Sequence, residues 1–326
     1  MQTPGMLLMS NMAPGNIDKM TGYAKKAEAI GLRNFLVTES MTDSLALAQH
    51  FASQTSKIQV GTGIANLYLR HPLLAATHAM TIDQLAPGRL LLGLGTSHVP
   101  INQAFGIGMD KPLTALREYV STLSSIFRGE DESLAALSAR GRPVPKAEGK
   151  IPIFVAGISP RSVVLTGEIA DGGLPLNYAP HGLKEVVDGV QQGAQKAGRS
   201  AAEVQIALIM HCCVCEDKAV ALRSVKQTLS FYGRMPYYNR LFVRQGYAKE
   251  AAGITAGWEK NDPQAAADAI SDDMATQIAG MGSAQECRDK VEEFEKGGAS
   301  YVILYPTAID GDYDKGINAV LNAFGS

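Results

Sequence analysis

Eight short apolar runs, each followed by a stretch of helical periodicity, predict one α/β domain over residues 1–326, closed as a (β/α)8 TIM barrel. The strand runs are nearly continuous rather than alternating, as a parallel sheet covered on both faces requires. A chain of 326 residues, 46% of them hydrophobic, has the length and core for one large barrel. The third observation is the stretch 57–98, which reads KIQVGTGIANLYLRHP, LLAATHAMTIDQLAPG and RLLLGLGTSH: strand, crossover helix, strand. A right-handed βαβ unit returns its second strand in the same direction, so two glycine-rich ends reach the same edge. A doubly wound open sheet satisfies the same periodicity, because pattern alone does not show closure.

The first strand is GMLLMS (5–10), ending near Asn11, and Pro14 with Gly15 breaks it before a helix capped by Asn16. Ile17, Met20, Ala24, Ala27 and Ile30 form that helix's apolar stripe, which Gly31 ends. NFLVTES (34–40) is the second strand, and a helix over 43–53 leads into the central unit with strands three and four. Beyond His98 an excursion is expected at about 99–112, then a helix whose Leu113, Leu116, Val120, Leu123 and Phe127 make one face. A polar excursion at 128–150 reads equally as an interdomain linker. IPIFVAG (151–157), GGLPLN (172–177) and EVQIALIMHCCV (203–214) are strands five to seven, each followed by helix. A long excursion at 228–282 contains the aromatic segment FYGRMPYYNRLFVRQGY (231–247), which fits no barrel period. A helix over 283–296, the strand YVILYP (301–306) and a helix over 313–324 close the chain.

Composition narrows the function. A net charge of -2 without a long basic run gives no reason to expect nucleic acid or an anionic membrane as partner. The N-terminus lacks a basic start and apolar core, and no apolar run approaches the roughly 20 residues of a membrane span, so the expected location is the cytoplasm. Three of the four cysteines lie in HCCVC (211–215). Adjacent strand cysteines face opposite ways and C-x-x-C spacing is absent, so they read as buried small hydrophobes and no metal is expected.

The strand ends are small, hydroxylic or amide-bearing. Convergent paired carboxylates, a G-x-S-x-G elbow and a G-x-x-x-x-G-K-[ST] loop are all missing. A wide, weakly charged, glycine-lined mouth suits a flat cofactor that brings its own reactivity. AGISPRS (156–162) is the phosphate candidate: Gly157 admits close approach, Ser159 is placed as N-cap and Pro160 as first helical residue, with free amides beyond and Arg161 as countercharge. An ordinary capped helix reads the same way. GTGIAN (61–66) and GLGTS (93–97) place bare strand ends side by side, either for rim packing or for a planar body lying on both. His98 and Glu39 are the titratable groups best placed as catalysts, while Arg70, His71 and Pro72 read as holding the loop after strand three.

In order along the chain, GTGIANLYLRHP, DQLAPGRLLLGLG, IPIFVAGISPRSVVLTGEIADG, the HCC strand and GSAQECRDKVEEFEKGGASYVILYP resemble the luciferase-like flavin-dependent oxidoreductases, nearest to the methylenetetrahydromethanopterin reductase branch. The resemblance implies a TIM barrel using FMN or the deazaflavin coenzyme F-420. It implies a non-prolyl cis peptide at Gly63–Ile64 behind the ring, with Ala65 and Asn66 following in that bulge. It places the cofactor phosphate at Gly157, Ile158 and Ser159 with the amides that follow, in the turn that holds Pro160 and Arg161, and it lines the site with Thr96, Ser97 and His98. The reductase branch carries acidic groups at three strand ends where this chain has Ser10, Glu39 with Ser40, and His98.

The expected activity is therefore hydride transfer between FMN or F-420 and a small organic substrate. The alternatives are an FMN-dependent monooxygenase fed by a separate flavin reductase, and a non-catalytic flavin-binding barrel. The aromatic segment either covers the substrate or forms a subunit interface in a homo-oligomer, a dimer or tetramer.

Overall fold

The strands follow the apolar runs. They are β1 (Gly5–Leu8), β2 (Asn34–Val37), β3 (Gln59–Thr62), β4 (Ala65–Asn66), β5 (Leu90–Gly95), β6 (Ile153–Val155), β7 (Gly172–Gly173), β8 (Gln205–Val214), β9 (Gly280–Gly282) and β10 (Tyr301–Pro306). The helices between and after them are α1 (Ile17–Ala29), α2 (Ser44–Gln54), α3 (Pro72–Leu85), α4 (Val99–Ala104), α5 (Pro112–Arg128), α6 (Glu132–Ala139), α7 (Pro160–Ile169), α8 (Leu183–Lys196), α9 (Lys218–Gly233), α10 (Pro236–Arg244), α11 (Ala248–Glu259), α12 (Pro263–Asp268), α13 (Asp272–Ile278), α14 (Ala284–Lys296) and α15 (Tyr313–Phe324). The structure, a computed structural model, describes residues 1–10, 16–40, 42–141, 147 and 149–325. The expected Asn11 strand end, the break at Pro14 and Gly15, and part of the 128–150 excursion lie outside those residues.

Every pairing in the ring is parallel, in the order β1, β2, β3, β5, β6, β7, β8, β10, and β10 hydrogen-bonds to both β8 and β1. The sheet is therefore a closed eight-stranded barrel, and the open-sheet alternative is set aside. Met6 lies opposite Phe35, and Tyr305 opposite His211. Strands β1, β2, β5 and β10 are buried at every position, which is why they read as continuous apolar runs. Parallel closure brings all C-terminal strand ends to one rim.

Two elements depart from expectation. The sixth barrel strand is cut to Gly172–Gly173, because Pro175 has no N–H to give the ladder and Asn177 turns the chain at φ 65°; only Leu176 still bridges to Ile209. Beyond the ring, β9 pairs with the end of β8, Cys212 opposite Gly280. A three-residue strand with two glycines has no periodic signature. No helix among the described residues is long and apolar enough to cross a membrane.

Glycine is required where β3 and β5 meet. A Cβ on Gly93 would stand 2.0 Å from the Thr62 carbonyl oxygen and 3.0 Å from Leu174 Cδ1. Thr62 Oγ1 already donates to the Gly93 carbonyl at 2.6 Å, so neither strand can give way freely. Gly93→Ala is expected to cost about 1–3 kcal/mol of stability or more, read as a lower urea midpoint at unchanged slope.

Candidate active site

At the rim formed by the C-terminal strand ends lies a cavity of about 510 Å³, within the range of small-molecule sites. One wall is nearly bare backbone. After β3 the chain makes a cis peptide between Gly63 and Ile64, then β4 resumes pairing with β5 through Ala65 and Leu94. A Cβ on Gly63 would meet Leu7 at 2.7 Å, and one on Gly95 would meet Ile64 at 3.0 Å. The glycines thus let two strand ends lie flat against their neighbours.

Of the residues singled out in the sequence, Glu39, Gly63, Ile64, Thr96, Ser97, His98, Gly157, Ile158, Ser159 and Arg161 line this one cavity. Ala65, Asn66 and Pro160 stand outside its wall. Ala65 and Asn66 are buried behind it, and Pro160 is exposed at the first helical position of α7.

The turn before α7 is built by a capping box. Ser159 Oγ accepts from the Ser162 amide at 3.1 Å, and Ser162 Oγ accepts from the Ser159 amide at 2.9 Å. Two amides are consumed within the turn. Those of Gly157, Ile158 and Arg161 have no acceptor among the described residues, at the positive end of a helix of ten residues. Arg244 Nη2 donates to the Ile158 carbonyl at 2.6 Å, and its guanidinium is ion-paired with Glu185 at 3.2 Å. Nothing local signals Arg244, which lies 86 residues downstream on α10.

The opposite side is aromatic. Tyr232, Tyr237 and Tyr238, from α9 and α10, meet Tyr305 of β10 over the cavity. The segment 231–247 was the sequence signal for them, though not for their packing. His98 caps α4 and follows Ser97, whose φ of 56° turns the strand end toward the cavity. The Tyr237 hydroxyl hydrogen-bonds to His98 Nδ1, and the two rings lie parallel within 8°. Burial, and then the Arg234 charge, hold the His98 pKa below the ordinary imidazole value. Burial raises the Tyr237 phenol, so it keeps its proton, and the His98 tautomer sets which of the two groups donates. The Tyr237 hydroxyl also donates to Met235 Sδ at 2.9 Å.

Glu39 touches the cavity, but its carboxylate is engaged. Both oxygens face the Arg70 guanidinium, Oε2 accepts from the Asn66 amide at 2.6 Å, and Oε1 accepts from the amide and hydroxyl of Ser44 at 3.3 Å each. Its side chain is 3% exposed. Arg70 therefore does hold the loop after β3, through Glu39.

His211, a strand-end group in the sequence, is buried against Tyr305 and Tyr232, with Nε2 unpartnered among the described residues. Burial pushes its pKa down to about 3. Below about pH 6.5 the unfolded chain binds a proton that the folded chain refuses until about pH 3, so stability falls as pH falls through that window. His211→Phe is expected to flatten this dependence, by up to ~1.4 kcal/mol per pH unit, in urea melts at pH 7 and pH 5.

The family profile described as luciferase-like monooxygenase matches residues 3–301. The chain is 26% identical over 292 residues to the 5,10-methylenetetrahydromethanopterin reductase of Methanolobus tindarius, covering 87% of this chain and 89% of that protein. The coenzyme F-420-dependent tetrahydromethanopterin reductase of Methanopyrus kandleri superposes with a TM-score of 0.79 over 98% of this chain and 97% of that one, at 24% identity. The oxygenating constituent of 3,6-diketocamphane monooxygenase from Pseudomonas putida, in complex with FMN, superposes at 0.69 over 100% and 96%, at 19% identity. With nearly its whole length matched, this chain belongs to the luciferase-like monooxygenase family.

Proposed function

We propose that this chain is an oxidoreductase that passes hydride between FMN or coenzyme F-420 and a small uncharged organic substrate. The observation that carries the reading is one cavity bounded by side-chain-poor β ends on one side and unpaired amides at the start of α7 on another.

These residues fit such a cofactor. A planar ring requires a wall without Cβ atoms, which Gly63 and Gly95 supply, and a phosphate requires donors and positive charge, supplied by the amides of Gly157, Ile158 and Arg161 with the Arg161 side chain. When bound, the cofactor supplies the hydride chemistry. The chain binds it, keeps water out with the tyrosines, and moves the proton that accompanies hydride transfer. His98 takes up or releases that proton, its ring held through Nδ1 by Tyr237. Glu39 orients the bulge and takes no part in proton transfer, since its oxygens are already bonded.

Near the tyrosine-covered side, Glu39 is matched by Arg70, and the exposed Arg234 guanidinium stacks over Phe231 at 4.1 Å and Trp258 at 5.1 Å. A substrate entering among the tyrosines leaves its water behind, which costs an uncharged compound least. The enzyme works in the cytoplasm as a homo-oligomer, for which exposed Leu69, Leu73 and Leu74 offer an apolar face.

Two assays test the reaction. Anaerobic turnover of reduced F-420 or FMN with neutral carbonyl or alkene compounds is expected. Oxygen uptake with reduced FMN, supplied by a separate flavin reductase, would instead make the chain a monooxygenase. The phosphate corner has its own test in Ser159→Asp. Aspartate also caps a helix, so folding is retained, while its charge should weaken cofactor binding about 10–100-fold. Unchanged affinity would remove this turn from the site.

A further inference from the structure

We infer that Asn102 is a positioning residue that ties the glycine bulge behind the cavity to the strand end carrying His98, so that the two halves of the site are held as one unit. The inference rests on the functional reading above for what those halves do.

Asn102 lies on α4 and is fully buried. Its Oδ1 accepts from Asn66 Nδ2 at 2.8 Å, and its Nδ2 donates to the Thr96 carbonyl at 2.8 Å. Its own amide donates to the His98 carbonyl at 3.1 Å. One residue therefore grips the main chain on both sides of Ser97, the position held at φ 56°. A non-glycine residue in that region keeps its conformation only when its surroundings impose it.

The other end of the tie is equally fixed. Asn66 Oδ1 accepts from the Tyr68 amide at 3.1 Å, and the Asn66 amide donates to Glu39 Oε2 at 2.6 Å. Glu39 is bonded in turn to Arg70. The path Arg70, Glu39, Asn66, Asn102, Thr96 runs from one side of the cavity wall to the other through the buried Asn66 and Asn102. Asn102 suits the junction because a primary amide offers an acceptor and a donor at once, and each faces a different irregular segment of the site. Rigid support of this kind sets how well a binding wall and a proton-handling group are aligned.

The test uses the intact chain. Wild type, Glu39→Gln, Asn102→Ala, Asn102→Asp and the double variant Glu39→Gln/Asn102→Ala are titrated with FMN and with F-420 by fluorescence. The cofactor-free proteins are also compared by histidine-labelled NMR. Asn34→Ala is the control: Asn34 is buried and donates to the Tyr301 hydroxyl at 3.3 Å, at the opposite end of the barrel.

Asn102→Ala should weaken cofactor binding about tenfold and shift the His98 ring signals, while Asn34→Ala lowers the melting temperature but leaves binding within twofold. The double variant should lose less affinity than the product of the single losses, because both break one path. Asn102→Asp, which keeps the acceptor and loses the donor, should move the His98 signals even if the alanine variant folds poorly. Losses that multiply, or a His98 signal unmoved by Glu39→Gln and by both Asn102 variants, would overturn the inference. Wild type that binds neither cofactor would overturn the functional reading instead, and the His98 signals would still decide the tie.

Discussion

His98→Gln is expected to lower turnover by about 10²–10⁴-fold while leaving cofactor affinity within a few fold. That is the contribution usual for a positioned proton-transfer group. Glutamine keeps a hydrogen-bonding head in the cavity but neither takes up nor releases a proton near neutral pH. The charged and titratable groups facing His98 are Arg234, Tyr237 and Tyr238. Burial comes first and Arg234 second among the causes that favour the neutral imidazole. In the direction that oxidises substrate, the neutral ring is the working base, so the rate should hold at neutral pH and fall as pH drops through the lowered pKa. In the reducing direction the protonated ring is the donor, and the same pKa should appear with the opposite slope. Steady-state pH profiles of wild type and variant check both. A wild-type profile retained in His98→Gln would remove His98 from the chemistry.

Arg70→Ala should be among the most destabilising single changes in the molecule. Its guanidinium is 10% exposed and the Glu39 side chain 3%, so removing the cation strands a carboxylate out of reach of water. Loss of one partner from such a buried pair typically costs about 3–5 kcal/mol. Part of the Arg70 charge also faces Asp43, at 2.7 Å. Asp43 is 51% exposed and contributes little to that figure. The expected result is a large fall in the urea midpoint together with weakened cofactor binding, because Glu39 holds the Asn66 amide. Adding Glu39→Gln should recover part of the stability, since the unpaired charge is then gone. A midpoint within about 1 kcal/mol of wild type would contradict the account of this network.

The barrel was legible because the sequence writes it twice over: continuous apolar strands for burial on both faces, and glycines at 61 and 93 where backbone meets backbone. The start of α7 was legible for a local reason, since Ser159, Pro160 and Ser162 specify their own turn. What stayed hidden is what depends on distant partners. Glu39 looked free until Arg70 and Asn66 folded onto it, and Arg244 reaches Ile158 only because α10 lies across the rim. The tyrosines stood out as an aromatic segment with no period, but α9 and α10 had to be placed before three of them became the cover of a cavity. Strand β9 left no trace in the pattern, because two glycines around one methionine carry no preference for extended chain.

We propose that a flat cofactor lies against the bare β ends with its phosphate at the start of α7. Equilibrium titration of the purified chain with FMN and with F-420, repeated on Ser159→Asp, tests it most directly. Wild type is expected to show saturable one-site binding of at least one of the two, weakened about 10–100-fold by the added charge. Wild type that binds neither, or binding that the aspartate leaves untouched, would contradict it.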